Sequence, residues 1–329
     1  MKYAAKRPGV AGKYKQVVCF PGGGVRGVVS LVLLDRLAKS GAVRLDEIYA
    51  YSGTSTGVIL SACLAKPEPF SLGDALSMYK DLSKRVFERS RWIPAAASQL
   101  VWGASYDSKK LADAVRGVLG DVRLGDCPKR LVATVYSLDE RMPGGGYAAS
   151  PVFVHNFESH ATDYMLSMKL SDVVIGAASA PTYFYPHRFH HAGLWRKYVD
   201  GGLVDNASCV GALSTITDHY NLGFCDDDKV AMLYVGNGSS YWRDEADEPA
   251  SGWRAPRAAA TLVNSLVQSG QTLSIKAMDH LLRDRFCHLD KALPRPVDLA
   301  DFGAIGELEE FARGIDLGTA ESWCRGYFV

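Results

Sequence analysis

Three short stretches of the chain carry residue types that together can cleave an ester. The first is Gly53-Thr-Ser-Thr-Gly57, with Ser55 at its centre. A Gly-x-Ser-x-Gly between a strand and a helix is the setting of a nucleophile elbow, in which the serine stands exposed above the sheet. The helix N-terminus beneath it favours negative charge at the reacting centre. The second stretch is Gly22-Gly-Gly-Val-Arg-Gly27. Its glycines carry backbone N–H groups free of side-chain cover, so Gly22, Gly23 and Gly24 can donate to an oxyanion. The third is Asp200-Gly201-Gly202, a carboxylate on a tight turn that can accept the proton of Ser55.

The spacing Gly22-x-Gly24-x-x-Gly27 after a strand is also a dinucleotide-binding fingerprint. That reading needs an acid at the end of a second strand, ~20 residues on. Asp35 falls inside a helical pattern, and Asp46 and Glu47 stand at the beginning of the next strand rather than at its end, so the dinucleotide reading is set aside.

The elements around these stretches point to an α/β protein. Gln16 to Phe20 is a continuous apolar run of strand length, suited to a sheet covered on both faces. Val28 to Ser40 reads as a buried helix closed by Gly41. Leu45 to Ala50 reads as a second strand and Val58 to Ala65 as a second helix. Strand, helix, strand, helix argues a parallel sheet with helical crossovers. Further on, Ser71 to Ser90 is an amphipathic helix, Asp107 caps a helix through Leu119, and Leu131 to Ser137 and Pro151 to His155 are strands. Ser171 caps a helix to about Ser179, and Phe189–His191 with Lys197–Val199 form a short strand pair that leads to Asp200. Ala207 to Tyr220 is a helix, Lys229 to Gly236 a strand, and Arg257 to Asp284 the longest helical pattern. A last strand at Phe286–Leu289 and a last helix at Ile305–Ile315 complete the chain. The three candidate loops are thereby expected at the carboxyl ends of parallel strands, where sites form in open α/β sheets.

Composition narrows the function classes. The chain has 329 residues, 47% hydrophobic and 22% charged, with a net charge of +1. That balance implies no nucleic-acid polymer as partner. Residues 1–15 are basic and are read as a flexible arm, with an anionic membrane contact as the sharper option. Residues 16–329 are read as one domain, since no linker or repeat divides them. No run reaches the ~18 apolar residues of a spanning helix, and no secretory apolar core is seen near Met1. A cytoplasmic protein, peripheral at most on the inner membrane surface, is expected. Seven scattered cysteines with no Cys-x-x-Cys pair argue against a disulfide framework or a zinc site. No metal or cofactor is expected.

Taken in order, four stretches resemble the patatin-like phospholipase family: Gly22 to Gly27, Gly53 to Gly57, Ala177-Ala-Ser-Ala-Pro-Thr-Tyr-Phe184, and Asp200-Gly-Gly-Leu-Val-Asp-Asn206. They span about Val17 to Ala207. The resemblance implies a three-layer sandwich with a mostly parallel central sheet and helices on both faces. It also implies acyl hydrolysis of lipid esters by a Ser-Asp dyad: Ser55 as nucleophile, Asp200 as base, and the Gly22 to Gly24 amides as oxyanion hole. Two positions depart from the family pattern. Pro21 stands where many members have Asp or Ser, and Asn206-Ala-Ser208 stands where the family has Asn-Asn-Pro.

The implied partner is a phospholipid or lysophospholipid at a membrane surface. Some bacterial members of this family are switched on by a cyclic nucleotide and degrade membranes of infected cells; such an effector is a second reading, and a non-catalytic lipid-binding module a third. A Ser-His-Asp esterase is the rival mechanism, since His187, His190 and His191 lie just before Asp200. Trp92 to Ala104 is the candidate lid or membrane contact, or else ordinary core.

Overall fold

Val17, Val18, Cys19 and Phe20 are wholly inaccessible to solvent, and so are Val230 to Val235. Strands buried on both faces need apolar residues at every position rather than at alternate ones, and these sequences have them. The structure, a computed structural model, describes residues 14–88, 105–141, 145–158, 163–220, 230–238 and 255–328. The strands are β1 Lys15–Phe20, β2 Ala50–Thr54, β3 Arg130–Arg141, β4 Tyr147–His155, β5 His187–His191, β6 Leu194–Asp200, β7 Val230–Val235 and β8 Phe286–Leu289. They form one sheet in the order β5-β6-β3-β2-β1-β7-β8, with β4 also paired to β3. The pairs β8/β7, β7/β1, β1/β2 and β2/β3 are parallel; β3/β4, β3/β6 and β6/β5 are antiparallel.

The helices are α1 Gly27–Lys39, α2 Thr56–Ala65, α3 Leu72–Phe87, α4 Ser108–Leu119, α5 Asp163–Leu166, α6 Leu170–Ala178, α7 Gly202–Asp205, α8 Cys209–His219, α9 Ala255–Leu281, α10 Ile305–Arg313 and α11 Gly318–Tyr327. Alternate strand residues face opposite sides, and the two sides form separate cores. Val18, Phe20, Tyr51, Leu131, Ala133 and Val135 pack with residues of α1 to α4, α6, α10 and α11. Val17, Cys19, Val132, Met232 and Tyr234 pack with α8 and α9. This is the expected three-layer arrangement, helices on both faces of a mostly parallel sheet.

Several expected boundaries move. β2 begins at Ala50, not at Leu45, and runs on to Thr54. Asp46 and Glu47 are exposed, so that segment cannot lie between two helix layers. Lys15, expected in the basic arm, opens β1; residues 1–13 lie outside the described residues, as does Trp92–Ala104. Helix α6 begins at Leu170, with Lys169 at the N-cap position and no side-chain cap, so Ser171 lies inside its first turn. Helix α11 was not expected, since its Gly318, Gly326 and mixed polarity hide a helical period. Cys19, Cys63, Cys127, Cys209, Cys287 and Cys324 are buried free thiols. No helix among the described residues is long and apolar enough to cross a membrane.

β3, at 12 residues, outruns its parallel neighbour. β2 pairs along one edge of it and stops at Thr54, opposite Thr134. β6 enters along the same edge from the opposite direction and ends at Asp200, opposite Val135. The end of β2 and the end of β6 therefore meet head to head on adjacent residues of β3. The carboxylate arrives on an antiparallel strand, not at the carboxyl end of a parallel one as the sequence suggested.

Candidate active site

Ser55 is the single residue between β2 and α2. Its backbone sits at φ 55° and ψ −129°, a region that is costly for a residue with a side chain and is typically held only at functional turns. The surroundings enforce it. A Cβ on Gly53 would run into the backbone of Gly57, and a Cβ on Gly57 into the Phe20 carbonyl. The elbow is thus backbone against backbone on both sides, which only glycine permits. The Thr54 hydroxyl donates to the Asp205 carbonyl at 2.6 Å and ties the end of β2 to α7.

Asp200 is 5% exposed. Its N–H donates to the Ser179 carbonyl at 3.1 Å, and its Oδ1 accepts the Gly202 N–H at 2.8 Å. Burial pushes the carboxyl up to about 6, because the charged form loses hydration; hydrogen bonds from the Ser55 hydroxyl and the Gly202 amide pull the other way. Ser55 and Asp200 therefore stand at the abutting ends of β2 and β6, near enough for the hydroxyl to favour the carboxylate. Gly201 lies against the backbone of Thr134, where a side chain would not fit.

The Ala177–Phe184 stretch, for which the sequence offered no chemical reason, is the support of Asp200. It leaves α6, presents the Ser179 carbonyl, and turns at Thr182 with φ 70°. The Thr182 and Tyr183 carbonyls accept the Ser105 and Tyr106 N–H groups at 3.0 and 2.9 Å. Tyr106 also stacks on Tyr183, with ring centres 5.8 Å apart.

The glycine loop follows β1. Its three amides are not equivalent. The Gly22 N–H already donates to the Asn206 carbonyl at 3.0 Å, and the Gly22 carbonyl accepts from Asn206 Nδ2 at 3.3 Å and Asn237 Nδ2 at 3.0 Å. Among the described residues the Gly23 and Gly24 N–H groups have no acceptor. Of the two or three donors expected, Gly22 is engaged and two amides are left free to donate. Gly24 sits at φ 55° and its carbonyl accepts the Tyr79 hydroxyl; the same hydroxyl occupies the space beside Gly27 at the start of α1. Val25 N–H to the Leu299 carbonyl, 2.8 Å, and Arg26 Nε to the Gly23 carbonyl, 3.2 Å, complete the fixing of the loop. Asn237, Tyr79 and Leu299 carry no sequence signal, since nothing local marks a partner far along the chain.

The histidines are committed elsewhere. His187 Nε2 lies 2.9 Å from Asp172 Oδ1, His191 Nε2 lies 2.7 Å from the Tyr164 carbonyl, and the His190 ring packs on Trp195. Among the described residues no histidine is bonded to Ser55 or Asp200, so a Ser-His-Asp arrangement is not assembled.

A family model described as Patatin-like phospholipase matches residues 18–213. Patatin-like protein 4 of Arabidopsis thaliana is 27% identical over 71% of this chain and 62% of its own length. Patatin-like protein 2 of Oryza sativa subsp. indica is 26% identical over 73% of this chain and 65% of its own. The chain thus spans somewhat less than two thirds of the length of these relatives. Among solved structures, the crystal structure of VipD from Legionella pneumophila matches 91% of this chain and 67% of its own, at 12% identity and a TM-score of 0.36, too low a likeness to carry an inference.

Proposed function

The chain belongs to the patatin-like phospholipase family, and we propose that it hydrolyses fatty-acyl esters of phospholipids or lysophospholipids through an acyl-Ser55 intermediate. One observation supports the reading above the others: a desolvated Asp200, its carboxyl pushed up to about 6, at the end of β6 that abuts the end of β2 beside Ser55. An ordinary aspartate, near ~3.9, is too weak a base for a serine hydroxyl. A buried one holds a proton more readily and suits general-base work near neutral pH.

In the proposed sequence the Ser55 Oγ attacks the ester carbonyl carbon as its proton passes to Asp200. The carbonyl oxygen becomes an oxyanion beside the Gly23 and Gly24 N–H groups. Collapse expels the alcohol, which takes the proton from Asp200 and leaves the acyl group on Ser55. Water then attacks the acyl-serine as Asp200 takes its proton; the bond to Ser55 Oγ breaks, Asp200 returns the proton to that oxygen, and the fatty acid departs. The test is lipid-class profiling: wild type should release fatty acid from phospholipid or lysophospholipid, and no release from any lipid class would contradict the reading.

Two predictions concern the supporting groups. Gly23→Ala places a methyl group against the Asn237 amide that holds Gly22. It should lower kcat by about 10²-fold with KM little changed, because the donors act in the transition state. Gly117→Ala, where a Cβ meets nothing, is the control and should leave kcat unaltered. Changing His187, His190 or His191 to Gln one at a time should leave kcat within about threefold of wild type, far from the loss of 10²-fold or more that removal of a general base causes. A folded histidine variant as inactive as Asp200→Asn would make the mechanism a triad.

A further inference from the structure

The sheet does not stop at the level of Ser55. β3 continues from Val135 to Arg141, and β4, β6 and, through β6, β5 pair onto that continuation. These antiparallel strands stand beyond the carboxyl edge of the parallel ones, on the side where Ser55 and Asp200 meet. At about 3.3 Å per residue, the run of β6 from Leu194 to Asp200 covers roughly 20 Å past that edge.

Cross-strand register sorts the side chains of this hairpin. His187, Phe189 and His191 share one face with Tyr198, Arg196 and Leu194; Phe189, Arg196 and Tyr198 are buried. The other face sets Arg188 opposite Lys197 and His190 opposite Trp195. Arg188 and His190 are exposed, and Trp195 is 60% exposed. The Arg188 guanidinium lies 5.3 Å from the centre of the Trp195 ring.

Like charges directly opposite one another destabilise an antiparallel pair. Neither Arg188 nor Lys197 has a carboxylate partner among the described residues. The acids nearby are otherwise occupied: Asp139 accepts the Lys197 backbone N–H at 2.8 Å, and Glu140 pairs with Arg196 at 3.5 Å on the opposite face. Leu138 and Tyr147, on the same protruding strands, are also exposed, Tyr147 at 68%. Exposed indole and phenol rings suit the headgroup level of a bilayer, and unpaired cations suit anionic headgroups.

We propose that this face of the β5–β6 hairpin docks on an anionic lipid surface. The choice of a lipid surface as occupant rests on the lipid-ester reading; the test does not depend on hydrolysis. Ser55→Ala protein is sedimented with phosphatidylcholine vesicles, with and without phosphatidylserine. Bound protein should rise with phosphatidylserine and fall with salt. On that background, Arg188→Gln with Lys197→Gln should weaken partitioning about fivefold per charge removed, and Trp195→Ser should weaken it by itself. The double variant should melt no lower than its parent, because the like-charge pair is gone. With Ser55 intact, the double variant should hydrolyse a soluble short-chain ester at the wild-type rate and slow only on vesicles. Equal sedimentation of parent and double variant, indifference to phosphatidylserine, or binding to an oligonucleotide with none to vesicles overturns the proposal. Absence of ester hydrolysis by wild type counts against the lipid-hydrolase reading alone, and sedimentation still decides the docking.

Discussion

Ser55→Ala is expected to lower kcat for ester hydrolysis by roughly 10⁴–10⁶-fold, the scale on which loss of a serine nucleophile falls. The variant should still fold. Ser55 is only partly buried, and its backbone geometry is imposed by Gly53 and Gly57 packing against backbone rather than by the hydroxyl. A companion variant separates strain from chemistry. At φ 55° a serine is held where glycine would be unstrained. Ser55→Gly should therefore be inactive yet more stable than wild type by about 1 kcal/mol. Calorimetry of the two inactive variants reads this directly; equal melting temperatures would mean that the elbow stores no strain.

Asp200→Asn should cost about 10²–10⁴-fold in kcat, the usual worth of a general base, while raising stability at neutral pH. The sign follows from the direction of the shift. Burial lifts the Asp200 carboxyl to about 6, against ~3.9 in an unfolded chain. Between those values the folded protein binds the proton more readily than the unfolded one, so stability falls as pH rises through that window. Below pH ~4 both states are protonated and no penalty exists; above about 6 the full penalty of ~3 kcal/mol is present. Activity runs the other way, since the base must be ionised, and kcat/KM should climb around the folded-state value of about 6 to a plateau above it. Asp200→Asn removes this group's contribution to both slopes. A variant whose stability difference from wild type is the same at pH 4 and pH 8 would show that Asp200 is not a desolvated carboxylate.

Much of the candidate site was legible in the sequence because its parts are local. Gly53, Ser55 and Gly57 lie within one turn, and a strand-to-helix elbow needs nothing outside it. The apolar runs at Val17–Phe20 and Val230–Val235 announced strands buried on both faces. What escaped the reading depends on contacts between distant segments. The pairing of Ser55 with Asp200 was expected from their chemistry and the resemblance, but the way it is built, with β2 and antiparallel β6 sharing one edge of β3, was not, since no spacing in the chain reveals that register. The second strand was set five residues early because Leu45 and Ile48 look strand-like, yet Asp46 and Glu47 between them cannot be buried. The sequence left open whether Gly22 to Gly24 offer two donors or three, because only the fold brings Asn206 onto the Gly22 amide. The Ala177–Phe184 stretch was recognisable only by resemblance, since its work is done by the Ser179 carbonyl, a group every residue has.

The central claim is that Ser55, activated by Asp200, carries the acyl group. The measurement that bears on it most directly is intact-mass analysis with peptide mapping after reaction with a fluorophosphonate, run on wild type, Ser55→Ala and Asp200→Asn. Wild type should gain one phosphonyl group, mapped to Ser55 alone, at a rate that rises between pH ~4 and ~7 as Asp200 ionises. Ser55→Ala should gain none, and Asp200→Asn should label at least about 10²-fold more slowly. A label on any other residue, or Asp200→Asn labelling at the wild-type rate, would contradict the account.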